Sequence, residues 1–200
     1  MKIEIVEYNP HRANQFMELS KRLYELLSFL DPIIEHIGST SVVGLASKNV
    51  IDIAVGVKEY NDLDRCILPM TENAFIYYEL FNQSMPERRL FVALKENRVL
   101  SKHGKIYSKN SDIDQEAMNK LRIANIHVWI HDSSEWQRHI AFRDYLREHK
   151  DIRDEYAKIK KKLSAKNYID TMEYNDGKND FIKRTEKKAL EWYQKRNDQK

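Results

Sequence analysis

The sequence predicts an α+β fold, a mixed β-sheet with flanking helices and a C-terminal helical extension. Three observations carry this prediction. Short β-branched runs bounded by turn residues recur through residues 1–131. One long amphipathic stripe interrupts them early, between His11 and Leu30. After His131 the apolar spacing turns helical and stays so. A chain of 200 residues suits one domain, or one domain with a helical extension. The expected organisation is an α/β core over 1–131 and a helical part over 132–200 packed on it.

KIEIVEY, residues 2–8, reads as a first strand. Asn9-Pro10 supplies an N-cap followed by proline in the first helical turn. Phe16, Leu19, Leu23, Leu26, Leu27 and Leu30 then line one face of a helix. Asp31-Pro32 stops it, because the residue before proline is pushed out of the helical region. IIEHIG is a short strand closed by glycine. STSVVGLASK is a turn with room for one short helix, and NVIDIAVGV is a buried strand with one acid in its middle. Residues 60–70 suit a helix ended by Pro69. FIYYELF and RRLFVAL are strands separated by NQSMPE. Residues 96–120 are polar and weakly patterned, and a loop that long in a compact domain is functional, mobile or partly structured. IANIHVWI is an alternating strand. Ser134-x-x-Gln137 is a capping box that opens a helix. Ile152, Tyr156, Ile159 and Leu163 stripe a second C-terminal helix, and Phe181, Ile182, Ala189, Leu190 and Trp192 a third.

Composition narrows the function classes. A hydrophobic fraction of 42% supports a core, and 32% charged residues argue against global disorder. No run approaches the roughly 18 apolar residues of a membrane span, and MKIEIVEYNP has no signal-peptide apolar core, so the expectation is a cytoplasmic protein without a membrane partner. The single cysteine, Cys66, sits among apolar neighbours and is read as structural. Residues 150–200 hold 15 Lys/Arg against 10 Asp/Glu, a net of +5, while the preceding residues hold 19 against 21, a net of −2. The basic tail is read as a solvated helix face rather than a nucleic-acid surface.

The chemistry concentrates in HIGSTSVVGLASKNVIDIAVGV, His36–Val57. Gly38 permits a tight turn and close approach of a ligand to the backbone. Ser39, Thr40 and Ser41 offer three hydroxyls with their N–H groups, an arrangement suited to phosphate oxygens. Lys48 adds a positive charge. Asp52 lies in an otherwise apolar strand, where a carboxylate needs a partner, a hydrogen bond or a metal ion. From spacing alone two readings stand. One is a phosphate site with a Mg²⁺-binding acid; the other is an ordinary turn with a structural pair such as Asp52–Lys48.

The same run resembles the signature of the GrpB-like family (the UPF0157 type) of the nucleotidyltransferase superfamily. The likeness continues at Tyr77–Glu79, at PERRLF (Pro86–Phe91), at Ile126–Val128 and at AFRDYLREH (Ala141–His149). It extends to Tyr156, Lys160, Leu163 and YNDGKNDFI (Tyr174–Ile182). The resemblance implies a nucleotidyltransferase-like sheet that binds a nucleoside triphosphate and a divalent cation, Mg²⁺ or Mn²⁺, and transfers a nucleotidyl group to an unknown acceptor. Gly38-Ser39 and Asp52 match the superfamily pattern. The second acid of its acid-x-acid pair falls on Ala54, which weakens standard two-metal chemistry. The alternative is therefore a nucleotide- or metal-binding module without catalysis. Glu79 and His127 are the candidates to complete a metal site with Asp52. Asn125 stands in the second shell where the family strand reads His-x-His, and imidazole would favour a transition metal. Arg88 and Arg89 point to opposite faces of a strand, and Arg89 is assigned to the triphosphate or an acidic acceptor. His36 is a candidate partner of Asp52 or a strand-end residue. Arg143 is read as structural, and Lys178 as a family lysine or an exposed cap.

Overall fold

The computed structural model describes residues 2–95, 105–168 and 171–198. Five strands form one mixed sheet: β1 Ile33–Ile37, β2 Ile51–Val57, β3 Phe75–Tyr77, β4 Arg88–Leu94 and β5 Arg122–Ile130, in the order β1-β2-β5-β4-β3. β2 runs parallel to β5, whereas β4 is antiparallel to both β5 and β3. The helices are α1 His11–Leu27, α2 Tyr60–Arg65, α3 Ile67–Glu72, α4 Gln115–Leu121, α5 Ser134–Glu148, α6 Lys150–Ser164, α7 Thr171–Asp176 and α8 Asn179–Asn197. The predicted α+β class, with a five-stranded mixed sheet and C-terminal helices, is the one observed.

The chain divides into two compact units. The sheet unit comprises Ala13–His36 and Val50–Trp136. Its strands alternate as the period of two requires. Ile51, Ile53, Val55 and Val57 of β2, Ala124, Ile126 and Val128 of β5, and Phe91 and Ala93 of β4 face a core shared with Leu19, Leu23 and Leu27 of α1. At about 25 cal/mol per Å² this apolar burial is the main stabilising term of the unit. The opposite face carries Asp52, Ala54 and Gly56 on β2, and Asn125, His127 and Trp129 on β5. A Cβ on Gly56 would lie 3.0 Å from the Trp136 ring, so glycine there lets the indole pack directly on the strand.

The helical unit comprises Met1–Arg12, Ile37–Asn49 and Gln137–Lys200. Val42 and Leu45, which follow the Gly-Ser turn, are buried with Leu146, Tyr156 and Phe181. The stripe predicted on α6 is what packs there: Tyr156 stacks on Phe181 at 4.8 Å, with Ile152 and Ile159 beside it.

Several local expectations are corrected. Among the described residues KIEIVEY forms no strand of the sheet; it makes isolated bridges, Lys2 with Asn167 and Val6 with Ser47. The helix expected at 60–70 is two short helices, and Pro69 lies inside the first turn of α3 rather than ending it. Of FIYYELF only Phe75–Tyr77 is strand, and Glu79–Phe81 is a 3-10 turn. The first-turn N–H of Trp136 is capped by the Ser133 hydroxyl, one residue before the predicted cap. Asn9 does cap α1, accepting from the His11 N–H at 3.0 Å. Within the weakly patterned stretch, 96–104 lies outside the described residues, whereas 105–120 includes most of α4 and a bridge of Ile106 to Tyr77.

Candidate functional site

In the helical unit the turn is built on Gly38, whose φ of 69° and ψ of −174° belong to a region essentially restricted to glycine. Ser39–Ser41 form a single 3-10 turn, and the Ser41 hydroxyl donates back to the Gly38 carbonyl at 2.6 Å. Thr40 and Ser41 are buried. Two cations from the C-terminal helices engage this turn. Arg147 donates to the Ser41 carbonyl through Nε at 3.2 Å and Nη2 at 2.9 Å. Lys160, only 3% exposed, donates from Nζ to Ser39 Oγ at 2.9 Å and lies 4.3 Å from the centroid of the Tyr156 ring. An ammonium held that deep raises the local positive potential at the serine hydroxyl.

Lys48 is placed by an aromatic contact. Its Nζ is 4.5 Å from the Tyr174 ring centroid, and Lys178 approaches the same ring at 4.7 Å. The quadrupole of one buried tyrosine thus draws both ammoniums to it. Burial pushes the Tyr174 hydroxyl up to about 12, so it is a neutral phenol at physiological pH. Arg143 is buried, and its Nε donates to Asp144 at 2.7 Å, where Arg147 also donates at 3.2 Å; this agrees with its structural reading.

In the sheet unit Asp52 and Asn125 are register partners on adjacent strands, and the Asn125 amide donates to Asp52 Oδ1 at 2.9 Å. The Asn125 carbonyl oxygen accepts from Arg122 Nη1 at 3.4 Å, while Arg122 Nη2 donates to the Tyr78 hydroxyl at 3.0 Å. The amide orientation follows from its neighbours, since a carboxylate only accepts and a guanidinium only donates. His127 pairs in register with Ala54 and shares the Asp52 face, its ring stacked on Trp129 at 5.0 Å.

The other sequence candidates lie elsewhere. Glu79 begins the 3-10 turn after the edge strand β3, is exposed, and accepts from the Ser108 hydroxyl. Two strands, β5 and β4, separate β3 from β2, which puts it roughly 14 Å across the sheet from the Asp52 strand at the usual strand spacing. It does not join Asp52. Arg89 points into the α-helix-covered face, where it is 6% exposed; its Nε bonds Asp64 at 2.7 Å and its Nη1 bonds the Pro86 carbonyl at 2.7 Å. Its neighbour Arg88 is the one on the Asp52 face. His36 stacks on Phe16 of α1 at 4.7 Å, on the core side of the sheet.

Asp52 is the one carboxylate of β2, Ala54 fills the position of a second, and Asn125 turns its NH₂ toward Asp52 with a guanidinium behind it. Among the described residues no group of three or more His, Cys, Asp or Glu side chains is arranged to hold a metal ion. The set does not fit a resident two-metal centre, which needs several carboxylates to offset the charge. Among the described residues, no helix is long and apolar enough to cross a membrane.

The fold and these local arrangements define an α+β protein with a five-stranded mixed sheet, a glycine-serine turn and a single acid on the strand that follows. The chain belongs to the GrpB family: the model described as "GrpB protein" matches residues 2–188. It is 30% identical over 197 residues to the UPF0157 protein YqkA of Bacillus subtilis, covering 98% of this chain and 50% of that one, so it spans half the length of that relative. It is 29% identical to the UPF0157 protein BH1888 of Halalkalibacterium halodurans, covering 94% of this chain and 82% of the relative. The crystal structure of the conserved protein GrpB from Enterococcus faecalis superposes with a TM-score of 0.74 at 30% identity, covering 95% of this chain and 99% of that one.

Lys160 is the residue that sequence reasoning passed over as a site member. The signal was present: it lies four residues after Tyr156 and three before Leu163, on the apolar stripe of α6, where a lysine has no place on a solvated face.

Proposed function

We propose that this chain binds a nucleoside triphosphate, with phosphate oxygens received by the Gly38–Ser41 turn. The observation that carries the reading is the buried Lys160 ammonium seated against Ser39 Oγ at 2.9 Å. Gly38 holds the backbone in a conformation other residues resist, Arg147 fixes the Ser41 carbonyl, and Lys160 supplies the charge. Lys48 and Lys178, both drawn to the Tyr174 ring, add cations in the same unit. Each prepares the turn for an anion before one arrives, which lowers the reorganisation needed on binding. The test is calorimetric titration of the four common nucleoside triphosphates, with and without Mg²⁺. Wild-type protein is expected to bind at least one of them, and Lys160→Met to bind it at least tenfold more weakly.

Nucleotidyl transfer to an acceptor is the second reading, favoured by Asp52 being held by Asn125 on the sheet face that also carries His127. Pyrophosphate release abolished by Asp52→Ala supports transfer; nucleotide binding without release across acceptors supports a binding module.

A further inference from the structure

Adjacent arginines on β4 have opposite fates. Arg89 spends its guanidinium on Asp64 and two backbone carbonyls. Arg88 faces the other way, in register with Trp129 and on the side of the sheet that carries Asp52 and His127. Its Nε is buried and, among the described residues, donates to no acceptor. Its guanidinium carbon lies 5.8 Å from the centroid of the Phe81 ring, and Glu135 is the acidic side chain whose field acts on it. A buried guanidinium N–H without an acceptor carries an uncompensated desolvation penalty, larger for a charged group, so a residue kept there for packing alone is poorly chosen; methionine would fill the same volume without that penalty. Burial lowers the Arg88 pKa, yet a guanidinium stays charged at physiological pH.

We propose that Arg88 is an anion-binding residue, receiving an oxyanion (a carboxylate or a phosphate group of a ligand) on the sheet face beside Trp129 and His127. The guanidinium fork matches either group in a bidentate fashion, and its aromatic surroundings strengthen the charge-assisted bonds by excluding water. The His127 ring, stacked on the buried Trp129 indole, lies on the same face as Arg88. This assignment involves the sheet unit alone and stands independently of the Ser39–Lys160 turn.

The experiment follows the Arg88 Nε–H signal by ¹⁵N–¹H NMR in the Lys160→Met background, which removes the proposed nucleotide contact. Inorganic phosphate and acetate are titrated separately at constant ionic strength. Saturable movement of that signal is expected with at least one of them, and the one giving the tighter curve names the oxyanion class. Arg88→Lys should weaken binding at least tenfold, read from the Trp129 indole signal. Arg88→Met should abolish it while raising the thermal midpoint, because the buried donor is gone. No saturable shift with either anion, or an indole response unchanged in Arg88→Met, overturns the assignment. A fall in the thermal midpoint of Arg88→Met equally overturns it, since it would make Arg88 a structural residue.

Discussion

At the scale of single residues, Arg89, Gly38 and Asp52 separate support from binding. Arg89 looked like the ligand arginine from its place in PERRLF, but its 2.7 Å bond to Asp64 ties α2 to β4, and its 2.7 Å bond to the Pro86 carbonyl holds the turn before β4. Arg89→Met should therefore lower stability by about 2 kcal/mol, the scale of a lost bond to a charged group, measured by urea unfolding, and leave nucleotide affinity within twofold. Gly38 carries the strain of the turn. Gly38→Ala should cost about 1–3 kcal/mol for the forced backbone and weaken nucleotide binding; a variant of unchanged stability would show that the turn tolerates a side chain. The placement of Asp52 on an acid-bearing strand was legible in IDIAVGV, because a lone acid among β-branched residues stands out. Its bond to Asn125 was not legible, since strand register decides it and the sequence of either strand alone leaves register open.

At the scale of elements, short apolar runs identified β2 and β4, alternation identified β5, and the period of 3.6 identified α1, α5, α6 and α8. KIEIVEY failed as a strand because a strand is made by its neighbours, and among the described residues this one finds single bridges. Glu79 failed as a co-ligand for a related reason: closeness in a list of strands is not closeness in a sheet, and β3 lies three places from β2. Lys160 was overlooked because a lysine in a helix is ordinarily solvated. Gly56 belongs to this scale too, since it sets how closely Trp136 approaches β2. Gly56→Ala places a methyl against the indole and should destabilise by about 1–3 kcal/mol, with a shift in tryptophan emission as the independent readout.

At the scale of the whole molecule, a division at residue 131 treats the chain as two consecutive blocks. The compact units are instead discontinuous, with Ile37–Asn49 grouped with Gln137–Lys200. A linear reading sees composition change along the chain but not which distant segments share a core; Val42 and Leu45 join Leu146 and Tyr156 across a gap of about a hundred residues. Each unit carries a buried acid group with a raised pKa: Cys66 in the sheet unit and Tyr174 in the helical unit, both pushed up to about 12 chiefly by desolvation, from reference values of 9.0 and 10.0. Both are neutral in the folded protein where the unfolded chain would ionise. Their contribution to stability is therefore complete below pH about 9 and is lost as pH rises toward about 12. Urea midpoints should fall over that window, and Cys66→Ala should flatten the early part of the fall. The most direct measurement of the phosphate turn is triphosphate binding by wild-type protein beside Lys160→Met, with circular dichroism confirming that both are folded. Saturable binding by wild type, weakened at least tenfold in the variant, is the predicted result; no binding by wild type, or equal binding by both, would contradict it.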